Sequence, residues 1–253
     1  MTATRRPLIA GNWKMNGLRA DLAQIAEVAR CCDAALAARL DLVLCPPATL
    51  LASAGAMVGA SGVALGGQDC HALEKGAHTG DISAEMLADI GASYVIVGHS
   101  ERRANHGETD DIVQAKARAA LRAGLTPVIC VGETLAQREA GMARVVVGAQ
   151  IEASTPAEVP PHRLVIAYEP VWAIGTGVTP TVAEVADMHA VARDRLEDRL
   201  GRGAALSARL LYGGSVKPGN AAELLALPAV DGALVGGASL LAADFLAIAR
   251  ACP

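Results

Sequence analysis

The chain predicts an α/β fold, a single closed (β/α)8 barrel occupying residues 1–253. Three observations carry that expectation. Apolar runs of strand length alternate eight times with longer segments of helical period. The strands lack a clean polar face, as parallel strands covered on both sides do. The length of 253 residues matches the roughly 250 typical of one such barrel. No linker, charge block or low-complexity tract divides the chain, which argues against two smaller domains. A doubly wound open sheet is the rival architecture.

In chain order, strands are expected at Leu8–Asn12, Leu42–Cys45, Val63–Gln68, Tyr94–Gly98, Thr126–Val131, Leu164–Tyr168, Arg209–Tyr212 and Gly232–Val235. Between them, helical period marks Leu18–Arg30, Thr109–Arg122, Thr181–Leu200 and Pro218–Ala226. In the last of these Pro218 suits a first helical turn and Asn220 an early capping role.

Composition narrows the function classes. With 52% hydrophobic and 19% charged residues the chain can bury a sizeable core, and with one Phe, two Trp and three Tyr that core must be filled by Ala, Leu, Val and Ile. No apolar run reaches the roughly 18 residues of a membrane span. Met1–Pro7 carries Arg5 and Arg6 with no apolar signal core behind them, so a cytoplasmic protein is expected, with no membrane partner. A net charge of −4 without a basic stripe speaks against nucleic-acid binding. Six cysteines without C-x-x-C spacing read as reduced thiols. His71 stands beside Cys70 and Asp69, but no second spaced pair accompanies them, so no metal is expected.

The chemistry sits where the strands end. Tyr168-Glu169-Pro170-Val171-Trp172-Ala173-Ile174-Gly175-Thr176-Gly177 sets a carboxylate directly after an apolar strand. The loop behind it is too apolar for ordinary surface and has glycines at its far end, which leaves two readings: a base under a lid, or a strand-to-helix turn with an acid at the helix N-terminus. Asn12, His99, Glu169, Ser215 and Gly236 all fall at or just beyond C-terminal strand ends, the rim where barrel enzymes assemble their sites. Gly213-Gly214-Ser215 and Gly236-Gly237 bring glycine to two neighbouring late strand ends, allowing backbone N–H groups to approach an anion. A helix start behind Gly237 would add its partial positive charge. Glu169, His99 and Lys14 make a proton-transfer set: a carboxylate base, a proton shuttle and a cation for a developing oxyanion.

Gly11-Asn12-Trp13-Lys14-Met15-Asn16-Gly17, Gly98-His99-Ser100-Glu101-Arg102-Arg103, the Tyr168–Gly177 segment, Tyr212-Gly213-Gly214-Ser215-Val216 and Val235-Gly236-Gly237-Ala238-Ser239-Leu240, taken in this order, resemble the triosephosphate isomerase family. The resemblance runs from about Leu8 to Ile248. It implies a TIM barrel that interconverts dihydroxyacetone phosphate and D-glyceraldehyde 3-phosphate through an enediolate, with no cofactor and no metal. By the resemblance Glu169 is the base, His99 the shuttle and Lys14 the electrostatic stabiliser. Substrate is held by Asn12, Lys14, Gly175, Ser215, Gly236 and Gly237, and Gly214 shapes the cradle. Glu101 and Arg102 are expected as supporting residues, an ion pair being one arrangement open to them, with Glu101 a further contributor to catalysis.

The resemblance further implies a homodimer through the Gln68–Asp81 loop, which would enter the partner near its Asn12 and Lys14 with Thr79 at the crossing. Departures from the family pattern are Val178-Thr179-Pro180 after the lid, His106 and Leu241; none touches the proton-transfer set. Two rivals remain: a Schiff-base sugar-phosphate lyase using Lys14, and a non-catalytic sugar-phosphate binding module.

Overall fold

A computed structural model describes residues 5–174 and 179–253. Eight parallel strands close on themselves in sequential order: β1 Leu8–Asn12, β2 Asp41–Cys45, β3 Val63–Gly67, β4 Tyr94–Val97, β5 Thr126–Val131, β6 Val165–Tyr168, β7 Arg209–Tyr212 and β8 Gly232–Val235. The open sheet is thereby ruled out, since β1 pairs with β8 from Leu8↔Gly232 to Gly11↔Val235. Each expected strand is present, within a residue of its expected ends.

Alternation along the strands divides the core in two. Leu8, Ala10, Val43, Cys45, Ile96, Val128, Cys130, Val165, Ala167, Leu211 and Leu234 form one cluster inside the barrel. Their neighbours, among them Ile9, Leu44, Val97, Ile129, Ile166, Tyr168, Leu210 and Val235, pack outward under the helices. This period of two sets the composition of the upper rim. Two residues beyond the inward Ala10, Ile96, Cys130, Ala167, Leu211 and Leu234 stand Asn12, Gly98, Gly132, Glu169, Gly213 and Gly236. Four glycines in that layer leave a hollow, and the two side chains that enter it are an amide and a carboxylate.

Helix ends differ from expectation in two places. The first helix is split: a 3-10 turn at Arg19–Asp21 precedes the α-helix Leu22–Cys31, because the Asp21 carboxylate accepts the Leu18 N–H at 2.7 Å and tightens the entry. The helix expected from Pro218 begins only at Ala221. Asn220 is its N-cap residue but makes no cap hydrogen bond; its Oδ1 accepts the Lys217 N–H and its Nδ2 donates to the Ser215 carbonyl, which holds the chain after Ser215 in place instead.

Candidate active site

β1 delivers Asn12 inward, and its Oδ1 accepts the Lys14 N–H at 3.0 Å. That bond, with Gln68 Nε2 donating to the Lys14 carbonyl at 2.9 Å, secures Lys14 in the left-handed region at φ +54°, a conformation that costs a non-glycine residue about 1 kcal/mol or more. The turn lifts the ammonium over the rim. A Cβ placed on Gly236 would lie 3.7 Å from Lys14 Cε, so the lysine stem passes across the exit of β8. Its Nζ pairs with Glu101 at 2.6 Å, in a bond that water reaches on both sides. Exposed pairs of this kind contribute at most about 1 kcal/mol, so an anionic ligand can readily exchange for Glu101.

His99 caps the helix Ser100–His106, its Nδ1 accepting the Glu101 N–H at 3.2 Å. The network therefore assigns the ring proton to Nε2, which stands 2.8 Å from Glu169 Oε1. Glu169 Oε2 accepts the Ser100 N–H at 2.9 Å. Both side chains are almost wholly buried. Burial pushes the Glu169 carboxyl up, but the bonds and charge of His99, the Ser100 N–H and Lys14 outweigh it and hold the group below the usual carboxylate range. At His99 burial opposes a charged ring while the adjacent carboxylate favours it more strongly, so the pKa is drawn upward. That rise depends on Glu169 remaining against Nε2, since a second proton would have to displace the Glu101 N–H from Nδ1.

Backbone contacts seat Glu169. Its N–H donates to the Val131 carbonyl at 2.7 Å, and the next strand follows suit with Gly213 N–H to the Tyr168 carbonyl at 2.7 Å. Gly132 and Gly213 are forced by this proximity: a Cβ would lie 1.7 Å from the Glu169 carbonyl oxygen at the first and 2.9 Å from Glu169 Cγ at the second. Gly214 is likewise forced, by Tyr212 Oη at 2.2 Å from the corresponding Cβ position.

Asn12, Lys14, His99 and Glu169 are thus brought together, with Ser215 and Gly236 at the adjoining exits of β7 and β8. Gly237 opens a 3-10 turn, Gly237–Ser239, at the place where a short helix was expected to start, and it is exposed on the rim. Gly175 and the far end of the expected lid lie outside the described residues. Glu101 and Arg102 do not pair with each other. Glu101 serves Lys14, while Arg102 bridges Asp69 at 2.9 Å and Glu108 at 2.6 Å.

A further buried carboxylate escaped the sequence reading. Glu133, fully buried, accepts on one oxygen from Trp172 Nε1 at 2.8 Å, Tyr168 Oη at 3.1 Å and Arg138 Nη1 at 3.1 Å. Arg138 also bonds Glu184 at 2.5 Å, which closes the capping box of the helix Val182–Leu200. Its position just past β5 was the available signal, as for Glu169 past β6, although Glu133 stands two residues beyond its strand and Glu169 one.

The expectation about His71 also shifts. Cys70 turns to the Lys116 carbonyl and Asp69 to the Lys116 ammonium, so neither joins it. Instead His71, His78 and Asp81 bring one ligand atom each within 4.8 Å of one another. His71 Nδ1, however, accepts the Leu73 N–H at 3.1 Å, which leaves a proton on the Nε2 that faces Asp81 at 3.8 Å. That nitrogen offers a donor where a metal needs a lone pair.

Comparison with known proteins agrees with the rim. The family model described as Triosephosphate isomerase matches residues 7–252. A triosephosphate isomerase of Afipia carboxidovorans is 60% identical over 248 residues, covering 98% of each chain. One of Rhodopseudomonas palustris is 59% identical over 255 residues, covering 100% of both. The crystal structure of triosephosphate isomerase from Bartonella henselae superposes with a TM-score of 0.89 at 48% identity, over 97% of this chain and 98% of that one. Similarity that holds end to end, through every strand exit described above, leaves no segment for a different assignment: the chain belongs to the triosephosphate isomerase family of enzymes.

Proposed function

We propose that this chain interconverts dihydroxyacetone phosphate and D-glyceraldehyde 3-phosphate without a cofactor, with Glu169 as base, His99 as proton shuttle and Lys14 as the cation facing the developing oxyanion. The observation that carries the reading is the buried pair of Glu169 and His99, 2.8 Å apart, on the same rim as Lys14. Asn12 and Lys14 receive the oxygens of the substrate, while backbone N–H groups at Gly175, Ser215, Gly236 and Gly237 cradle its phosphate.

The resting bonds supply a trigger. A substrate oxygen arriving at His99 Nε2 competes with Glu169 for that proton. The carboxylate then leaves His99 and Ser100 N–H together, loses the contacts that depress its pKa, and becomes a stronger base beside the substrate carbon. The same departure removes the charge that raises His99, so burial and the Glu101 N–H keep the ring in its neutral form. Neutral imidazole can donate from Nε2 to one oxygen and recover a proton from its neighbour. Proton transfer by Glu169 contributes about 10²–10⁴ in rate, and stabilisation of the enediolate by Lys14 and His99 supplies much of the remainder.

A Schiff-base lyase would need Lys14 neutral and desolvated. Its ammonium is instead ion-paired and partly exposed, which favours the electrostatic role. The reading extends to a homodimer through the Gln68–Asp81 loop and to a cytoplasmic enzyme. Bacterial relatives and the lack, among the described residues, of a helix able to cross a membrane support the latter.

A coupled assay of glyceraldehyde 3-phosphate conversion under chelation tests the reading. Wild type turns over rapidly and Glu169→Gln loses at least 10²-fold in kcat. A folded wild type that binds inorganic phosphate and shows no turnover would return the binding-module alternative.

A further inference from the structure

We propose that Gln150, on the outer helix Ala143–Ser154, is a positioning residue for proton transfer, acting through the backbone on which Glu169 is seated. The inference rests on Glu169 being the base.

Beyond Val131 the chain of β5 continues along β6 by alternate residues. Val131 O accepts from Glu169 N–H and Glu133 O from Val171 N–H. The polar groups of the intervening Gly132 therefore point the other way, toward β4. There β4 has already ended: Val97 pairs with Ile129, and the chain then turns into the helix that carries His99 and Ser100. Gly132 would be left with an unpaired N–H and carbonyl beside the catalytic rim, an unfavourable state for partly buried polar groups. Gln150 occupies the missing partner's place. Its Oε1 accepts the Gly132 N–H at 2.7 Å, and its Nε2 donates to the Gly132 carbonyl at 3.3 Å.

The amide thus holds both polar groups of the glycine on which the Glu169 carbonyl lies. It also lines a cavity of about 250 Å³ with Ser100, Arg103, Gly132 and Glu169. Among the described residues Gln150 makes the hydrogen bonds that hold the Gly132 N–H and carbonyl on that side, so its loss frees the peptide to sink into this space, and Glu169 would follow through the Val131 and Glu133 carbonyls. Displacement of a reacting group by about 1 Å can cost 10²-fold in rate.

Gln114 supplies a matched control. It is also a helix-borne glutamine that clamps backbone, donating to the Ala153 and Thr155 carbonyls, neither of which belongs to the strand exits of the rim. Gln150→Met and Gln114→Met should each lower Tm by a few degrees. Only Gln150→Met should lower kcat, by about ten- to a hundred-fold, with the inhibition constant of inorganic phosphate unchanged within twofold. The acid limb of kcat/KM should move upward in the same variant, because a displaced Glu169 loses part of its contact with Ser100 and His99.

A kcat within twofold of wild type in Gln150→Met overturns the inference, as does a loss shared equally by kcat and phosphate binding. Should Gln150→Met not fold, Gln150→Glu, which still accepts the Gly132 N–H, should show at least a threefold loss in kcat, and full activity there overturns the inference equally. Glu169→Gln measured alongside separates the two readings. Collapse of Glu169→Gln with an unaffected Gln150→Met removes only the positioning role; full activity in Glu169→Gln removes the base, and this inference with it.

Discussion

His189 shows how far burial alone sets a residue's chemistry. It has no exposed surface, and its Nδ1 lies 3.0 Å from the Ala229 carbonyl, so that nitrogen carries the proton. Ala229 itself sits at φ +61°, a left-handed turn that this bond holds in place. Loss of hydration pushes the ring pKa down to about 4. Between that value and the ordinary 6.5 the unfolded chain binds a proton that the folded chain refuses, so stability falls as pH drops through this window. The contribution is roughly 3 kcal/mol when the whole window is crossed. Urea unfolding of His189→Asn, whose amide can still donate to Ala229, should show a flatter loss of stability between pH 6.5 and 4.5 than wild type. Equal slopes would assign the acid sensitivity to other groups. At Glu169 the relevant quantity is reach. Glu169→Asp withdraws the carboxylate by one methylene, so stopped-time assays should find kcat reduced about 10²-fold with phosphate inhibition intact; equal losses in kcat and phosphate binding would argue against a base. Glu169, His99, Lys14 and Asn12 were legible in the sequence because each stands at the C-terminal end of a strand or within two residues of it. Gln150 was not, since a glutamine within a helical period carries no mark of the peptide it will meet.

Strand exits and the segments joining them behave as coupled elements. The 3-10 turn Val171–Ala173 is tied by Trp172 to Glu133 and, through Arg138 stacked 4.7 Å from the Trp172 ring, to Glu184 in the cap of Val182–Leu200. The chain therefore leaves β6 and enters its next helix through one shared cluster. Removing Glu133 takes a buried acceptor away from Tyr168, Trp172 and Arg138 at once. Glu133→Ala should cost about 3 kcal/mol of unfolding free energy and change kcat and KM together, as substitutions at hinge positions do. A variant with wild-type kinetics and only a lowered Tm would make the cluster purely structural. Element boundaries were legible where apolar period and capping residue coincide, as at Thr181 and Glu184. They were not legible at Pro218, because Asn220 spends its side chain on Lys217 and Ser215 rather than on the first helical turn.

Across the whole molecule, charge closes the lower end of the barrel, while apolar side chains stand exposed beside the upper rim. Below, the strands are tied off by charge: Arg209 bridges Asp41 and Tyr94, and Arg5 and Arg193 share Asp231. Beside the upper rim, Met15 is 97% exposed and Leu18 77%, with Leu73 and Met86 also largely open to solvent. A groove of about 420 Å³ runs among Asn12, Lys14, Met15, Gln68, Glu101 and Arg102. Apolar side chains this exposed, rimmed by polar groups, mark an interaction surface. The Gln68–Asp81 loop stands next to it with Thr79 exposed at its tip. A second copy related by a twofold axis would insert that loop into the groove and receive the same loop in return. Closed barrel and strand order could be read from eight alternations, but this face could not be read from apolar period, since Met15 lies in a turn; only the resemblance pointed to it. Met15→Glu places a charge where the partner would seat. Light scattering at micromolar concentration should give twice the chain mass for wild type and a concentration-dependent monomer for Met15→Glu. The variant's specific activity should recover as protein concentration rises, because Asn12 and Lys14 line the same groove as Met15. A fully active wild-type monomer under those conditions would end the dimer reading and leave the groove as open surface.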